Sequence, residues 1–285
     1  MTAGAVGAVK GASAPGTLFV VSTPIGNLAD ISARALEALR TCDVVLAEDT
    51  RQTRVLLNHA GIAATLTSLH EHNEARVVPR VLARLQRGDA VALVTDAGTP
   101  LVSDPGERLV RSAIDAGFPV VPIPGASAVL AALVVSGLPA VPFTFFGFVP
   151  RKGRERAGLM AALAGLTHTA VCFESPERVA DTLAAWVEAG FGDRPAAVAR
   201  ELTKRFEEVR RGTVRELAAY YSESPPRGEV AVVLGGTSPA APDAQTLESL
   251  ARTWREEGLS AREVARRLSE EHHAPRNLAY RLAHR

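Results

Sequence analysis

The stretch Val91-Ala-Leu-Val-Thr-Asp-Ala-Gly-Thr-Pro-Leu-Val-Ser-Asp-Pro-Gly106 constrains the fold of this chain more than any other. Its four leading apolar residues follow the turn signal Gly88-Asp89 and predict a short buried strand. Gly, Pro, Thr, Ser and Asp then take over, residues that bend a chain sharply and present backbone N–H groups. In an open α/β sheet, ligands lie just beyond the carboxyl ends of strands. The stretch therefore reads either as a ligand loop or as an ordinary strand-to-helix connection.

The same pattern repeats on both sides of it. Leu18-Phe-Val-Val21 predicts a strand that runs into Ser22-Thr-Pro-Ile-Gly-Asn-Leu28, with Asp30 or Ser32 placed to cap the next helix. Cys42-Asp-Val-Val-Leu-Ala47 predicts a second strand, ending on the polar run Glu48-Asp-Thr-Arg51. A helix with Val55, Leu56 and Leu57, a short strand over 64–68 and a helix with Val77, Val78, Val81, Leu82 and Leu85 lead up to the central stretch. A helix over 107–116, a strand over 119–123 and Pro124-Gly-Ala-Ser127 follow it. Strands and helices alternating at this spacing predict a mostly parallel, layered sheet. The glycines form neither a Gly-x-Gly-x-x-Gly fingerprint nor a phosphate loop, so a nucleotide-like cofactor needs another geometry here. His70 and His72 lie close to carboxylates, but no third ligand with recognisable spacing accompanies them. A polar helix entrance is expected there, and no metal.

In the second half, Ser127 to Ser136 predicts a small-residue helix suited to packing between domains, and Phe143 to Phe148 a strand. Arg151, Lys152, Arg154 and Arg156 then share a basic loop and are candidates for phosphate contacts. A strand over 168–173 ends on Glu174-Ser-Pro, a helix covers 177–188, and a strand over 196–199 ends in Arg200-Glu-Leu-Thr-Lys-Arg205. Arg205, Arg210 and Arg211, with Arg215 nearby, make a second basic group, diluted by Glu207 and Glu208. Gly228 to Leu234 predicts a closing strand at a sheet edge or in a hairpin. A Gly/Pro-rich linker leads to helices over 244–257, 260–271 and 275 onward, with Ser260 and Glu263 spaced as a capping box. Gly258 to Leu268 looks like the turn and first helix of a helix-turn-helix element, either a packing unit or a reader of nucleic acid.

Two cores fit into 285 residues. The expected organisation is a disordered extension over 1–16, an α/β domain over 17–125, a second over 126–236, a linker over 237–244 and a helical tail over 245–285. With 32 basic against 31 acidic side chains the net charge is only +1, so a nucleic acid has to be met by local patches. Cys42 and Cys172 sit among apolar residues and suit a reducing compartment. The first sixteen residues lack the apolar core of a secretory signal, and the apolar run Val129 to Val135 is too short to span a bilayer. A cytoplasmic location is expected.

Five motifs occur in order: Ser22-Thr-Pro-Ile-Gly-Asn-Leu28, Ala47-Glu-Asp-Thr-Arg51, Thr95-Asp-Ala-Gly-Thr-Pro100 with Ser103-Asp-Pro-Gly106, Pro122-Ile-Pro-Gly125 and Ala199-Arg-Glu-Leu-Thr-Lys204. Together they resemble the enzymes that methylate small-subunit ribosomal RNA within the S-adenosylmethionine-dependent tetrapyrrole methylase superfamily. The likeness covers about residues 17 to 235 and, more weakly, the tail, where His273-Ala-Pro-Arg-Asn-Leu-Ala-Tyr280 replaces a Lys/Asn-rich helix. It implies a two-domain, class III methyltransferase fold with a small helical extension, S-adenosylmethionine in the cleft between the domains, and a homodimer.

Carried onto this chain, the resemblance implies that Thr23, Pro24, Ile25, Gly26, Thr95, Asp96, Ala97, Gly98 and Thr99 line the cofactor. Ser103 and Asp104 belong to the same loop, and Pro124, Gly125, Ala126 and Ser127 stand at the domain junction. The implied acceptor is the ribose 2′-hydroxyl of a decoding-centre cytidine, cytidine 1402 of 16S rRNA. A tetrapyrrole or other small-molecule methylase is one alternative, and a non-catalytic RNA-binding protein another. Glu48, Asp49, Arg51 and Lys204 are the candidates nearest the chemistry. Lys204 can act as a base only if the cleft lowers its pKa from about 10.4. Glu48 or Asp49 is ionised but weakly basic, and Arg51 can equally serve as a salt-bridged scaffold or a phosphate clamp.

Overall fold

The computed structural model describes residues 16–237, 244–272 and 274–284. The extension expected over 1–16 and the linker expected over 237–244 fall almost wholly outside these residues. No described helix is long and apolar enough to cross a membrane.

The first half contains β1 (Thr17–Val21), α1 (Ala33–Thr41), β2 (Val44–Ala47), α2 (Thr50–His59), β3 (Leu66–Ser68), α3 (Glu74–Gln86), β4 (Ala90–Leu93), α4 (Glu107–Asp115) and β5 (Val120–Ile123). Its strands form one parallel sheet in the order β3-β2-β4-β1-β5. Side chains alternate strictly: Leu18, Val44, Leu46, Val91 and Leu93 meet α3 and α4, whereas Val21, Val45, Ala47, Ala92 and Val94 meet α1 and α2. Helices on both faces explain why the strands read as unbroken apolar runs. Ser32, not Asp30, caps α1, accepting the Ala35 N–H at 3.1 Å, because Asp30 is taken into a short 3-10 turn. The connections after neighbouring β1 and β4 leave toward opposite edges of the sheet. A crevice opens at such a switch point, beyond the carboxyl ends of both strands.

The second half contains α5 (Ala128–Val135), β6 (Phe143–Phe148), α6 (Gly153–Gly165), β7 (Thr169–Glu174), α7 (Val179–Trp186), β8 (Pro195–Arg200), β9 (Glu208–Thr213), α8 (Val214–Glu223) and β10 (Val230–Leu234). The sheet order is β6-β7-β10-β8-β9, and only β6 and β7 run parallel. One face packs Cys172, Val198 and Val232 against Leu163, Leu183, Trp186 and Leu217 of the helices. The other meets α5 through Val129, Ala132 and Leu133.

Two expectations are corrected here. The strand expected at a sheet edge or in a hairpin, β10, is central: it pairs with β7 on one side and β8 on the other, and all five of its residues are buried. The basic group at Arg210 and Arg211 lies on the true edge strand, β9, where charged side chains guard an edge that no other described strand pairs. The basic loop is also shorter than expected, since α6 begins at Gly153 and takes Arg154 and Arg156 into its first turn.

The tail comprises α9 (Ala244–Glu256), α10 (Ala261–Glu270) and α11 (Arg276–Ala283), packed around Leu247, Val264, Leu268, Ala279 and Leu282. Ser260 caps α10 by accepting the Glu263 N–H at 3.2 Å. The Glu263 carboxylate pairs with Arg266 and does not complete the expected box. A full capping box forms instead between Thr213 and Glu216 at the start of α8.

Candidate active site

The carboxyl ends of the first sheet face the second sheet across a cleft of about 520 Å3. Three loops build its near wall and are stitched to one another. Thr23 and Gly98 exchange backbone hydrogen bonds at 2.8 and 3.1 Å, and the Thr23 hydroxyl donates to the Thr95 carbonyl at 3.1 Å. The Thr99 hydroxyl reaches the Ala126 carbonyl at 3.1 Å, and Ser22 lies 3.2 Å from Thr99. Gly98 holds φ at +89°, a left-handed conformation that glycine adopts without strain. Leu101 and Ser103 also have positive φ, as do Glu201 and Thr203 on the opposite wall. Among the described residues these are the four non-glycine cases, and each pair lies beside the cleft, where stored backbone strain commonly accompanies function.

Of the expected cofactor residues, Ile25, Asp96, Ala97, Gly98, Thr99, Ser103, Asp104 and Ser127 line this cleft. Thr23, Pro24 and Gly26, with Ile25, Asp96 and Ala97, line a smaller adjoining cavity of about 300 Å3. Thr95 is buried behind the wall. Pro124, Gly125 and Ala126 do not line either cavity. A Cβ on Gly125 would stand 2.8 Å from that of Ser22, so this glycine serves a close approach between loops.

The floor of the cleft is acidic. Burial pushes the carboxyl of Asp104 up to about 6, a hydrogen bond with Thr95 opposing the shift. Burial also raises Glu48 and Asp96, the Asp96 charge adding to the rise at Glu48. The Thr95 hydroxyl donates to Glu48 Oε2 at 3.3 Å and so stands between Glu48 and Asp104.

The other candidates for the chemistry are placed differently. Asp49 caps α2 and pairs with Arg51 at 2.6 Å, and hydrogen bonds from the Arg51 side chain hold its carboxyl at about 2. Arg51 itself projects into solvent. Lys204 lines the smaller cavity and bridges Glu201 at 2.8 Å and Glu229 at 3.0 Å. Partial burial pulls its pKa down, but the hydrogen bonds to the two carboxylates outweigh this and raise it above the ordinary lysine value. This arrangement disfavours the free amine that base catalysis requires.

The far wall carries residues that the sequence did not assign to the cofactor site, although Ala199 and Leu202 fall within one of the five motifs. It consists of Phe173, Glu174, Ser175 and Pro176 at the end of β7, Ala199 and Leu202 near the end of β8, and Gly228 to Ala231 at the start of β10. The polar run directly behind a buried strand at Glu174 was the available signal, identical in kind to that at Glu48. In the basic groups, Arg151, Lys152 and Arg154 are exposed, while Arg156 donates to the Pro150 carbonyl. Arg210 lies 3.5 Å from the Tyr220 ring centre and pairs with Glu208, Arg211 donates to the Val135 carbonyl, and Arg205 stacks on Phe206. Among the described residues no cluster of three or more His, Cys, Asp or Glu side chains could hold a metal ion.

Residues 17–218, which carry the near wall of the cleft and the far-wall residues up to Leu202, match the family model "Tetrapyrrole (Corrin/Porphyrin) Methylases". The chain belongs to the tetrapyrrole methylase family. Similar curated methylases include "Ribosomal RNA small subunit methyltransferase I" of Mesorhizobium japonicum, 49% identical over 82% of this chain and 80% of the relative. The protein of the same name from Synechocystis sp. is 42% identical over 94% and 97% of the two chains. Among solved structures, uroporphyrin-III-C-methyltransferase from Thermus thermophilus superposes with a TM-score of 0.56 at 23% identity, covering 77% of this chain and 94% of that one. Diphthine synthase reaches 0.59 at 19% identity, over 77% and 90%. These structural likenesses establish the two-sheet methylase fold.

Proposed function

We propose that this methylase transfers a methyl group from S-adenosylmethionine to the 2′-hydroxyl of a decoding-centre cytidine in small-subunit ribosomal RNA. The observation that carries the reading is a cleft with three clustered carboxylates, in a chain 40–49% identical to rRNA small-subunit methyltransferases. The cleft fits the cofactor in size, in the glycine-bearing loops that line it and in the acidic groups that favour a cation. Ile25, Ala97, Gly98 and Ser127 would hold it, with Glu48, Asp96 and Asp104 supplying negative charge. When bound, S-adenosylmethionine supplies an electrophilic methyl on a positively charged sulfur, which keeps the C–S electron pair as the ribose oxygen takes the methyl and sheds its proton.

The protein's part is placement of the acceptor and acceptance of that proton. With Lys204 tied as an ammonium, the proton falls to a cleft carboxylate. Asp104, held at about 6, is a stronger base than an ordinary aspartate. Purified protein offered labelled cofactor with small ribosomal subunits and free tetrapyrroles should label the subunits and leave the tetrapyrroles unlabelled. Label on a tetrapyrrole overturns the RNA reading, and label on neither overturns both.

The same cluster makes cofactor binding pH-dependent. Asp104 is protonated progressively below about pH 6, and a neutral carboxyl attracts a cation less. Affinity should therefore fall up to about tenfold for each pH unit below that point. Calorimetry from pH 8 to 5 should show the fall in the native protein and a flatter, weaker profile in Asp104→Asn. In the ligand-free protein the sign reverses. Because its folded-state pKa is raised, Asp104 favours folding most below the ordinary carboxylate pKa, and this contribution is lost as pH rises through about 6.

RNA contact is assigned first to Arg151, Lys152 and Arg154, which are exposed and have no carboxylate partner among the described residues. Replacing all three by alanine should make the salt dependence of subunit binding shallower by about two counter-ions and leave cofactor affinity unchanged. An unaltered slope shows that this turn is plain solvated surface. A homodimer is supported by exposed apolar side chains on α5 and β6: Leu130 and Val134 lie one helical turn apart, and Phe143 shares a strand face with Phe145, which packs toward α5.

A further inference from the structure

We infer that the smaller cavity beside the cleft is a nucleoside chamber, which receives one cytidine turned out of the RNA stack. The inference rests on the proposed reaction and adds where its acceptor sits. The chamber shares Ile25, Asp96, Ala97 and Glu229 with the main cleft, so a group seated in it lies against the cofactor's own wall. Its volume of about 300 Å3 is at the lower end for ligand sites. That suits a single nucleoside and not a four-ring macrocycle.

The lining also matches a flat heterocycle. Gln52, Val55 and Leu56 stand at i, i+3 and i+4 on one face of α2 and form one side. Pro24, Ile25 and Leu28 form the other. Val55 is 58% exposed, an apolar side chain left uncovered at the mouth of the chamber. Gln52 makes no side-chain hydrogen bond among the described residues and offers both a donor and an acceptor to a base edge. Asp96 adds a carboxylate, the acceptor that suits the cytosine amine.

The end wall comes from the second half of the chain. A Cβ on Gly26 would lie 2.4 Å from Lys204 Cγ, so the lysine stem crosses directly over this glycine. The Asn27 N–H donates to Thr203 Oγ1 at 3.1 Å, and the Lys204 ammonium is tied to Glu201 and Glu229. Lys204 is thus a positioning residue that closes the chamber. Extruding a base costs a few kcal/mol of unstacking, which apolar contact with Pro24, Val55 and Leu56 offsets.

Val55→Trp tests this, because it fills the chamber from an exposed position on α2. The native protein and the variant are compared by calorimetry with S-adenosylmethionine, by small-subunit binding and by single-turnover methylation. They are also compared by the fluorescence of a cytidine analogue at the acceptor position, which rises when the base leaves the stack. The variant should keep both affinities, lose the fluorescence rise and methylate about a hundredfold more slowly. Gln52→Ala, which only trims the edge, should slow methylation about tenfold. A native-like rate and fluorescence rise in Val55→Trp overturns the chamber while leaving the methyltransferase reading intact. Loss of cofactor affinity assigns the cavity to the cofactor and overturns it as well. Failure of the native protein to methylate subunits refutes the reaction itself.

Discussion

Glu174→Ala should lower stability by about 3 kcal/mol. The Glu174 side chain is fully buried at the end of β7. It accepts the Thr182 hydroxyl at 2.6 Å and the Ser175 N–H at 2.8 Å, and it pairs with Arg178 at 3.2 Å. Truncation leaves a buried threonine hydroxyl without its acceptor and an arginine without its counter-charge. Arg178 still donates to the Val149 and Pro150 carbonyls, which keeps the loss at the lower end for a broken buried pair. Because Ser175 and Pro176 continue into the cleft, cofactor affinity should fall too. Denaturant unfolding of Glu174→Ala beside Glu174→Gln checks this: the amide keeps an acceptor for Thr182 and should recover part of the loss. Equal stability of the alanine variant and the native protein would refute the role given to this network.

Gly98→Val should weaken cofactor binding by about a hundredfold, equivalent to roughly 3 kcal/mol. The residue has φ +89° and exchanges both backbone hydrogen bonds with Thr23. A β-branched side chain resists that conformation, at a cost of about 1–3 kcal/mol. A single Cβ finds ordinary room, 3.4 Å from Ile25 Cγ2, so crowding comes from the added branches pressing on a side chain that walls both cavities. Titration calorimetry on the folded variant decides the matter. Native affinity in a folded Gly98→Val protein would remove this loop from the cofactor site.

The near wall of the cleft was legible in the sequence because parallel strands announce their ligand loops. Each apolar run ends where the site begins, as at Ala47-Glu48 and Val94-Thr95. The far wall hid from the same rule because β10 runs against its neighbours. It brings the start of a strand to the cleft, so Gly228 and Glu229 stand ahead of the apolar run Val230–Leu234 instead of behind it. Strand β9 was missed because an edge strand carrying Glu208, Arg210 and Arg211 has the composition of a charged loop. The state of Lys204 was beyond reach for another reason. One of its two carboxylate partners, Glu229, is distant in sequence, and only the pairing of β8 with β10 brings them together.

The acidic floor around Thr95 has a consequence for the charge balance of the cleft. A bound sulfonium brings one positive charge against Glu48, Asp96 and Asp104, and after methyl transfer that charge is gone. Burial raises the pKa values of all three carboxyls, and neighbouring carboxylate charge adds to the rise, so each takes a proton more readily than an exposed carboxylate does. The acceptor hydroxyl releases one proton in the same event. If a cleft carboxylate keeps it, the site holds the same net charge before and after turnover, and no uncompensated charge is created in a region of low polarity. Product release is then linked to loss of that proton to water, which should become easier as the solution pH rises above about 6.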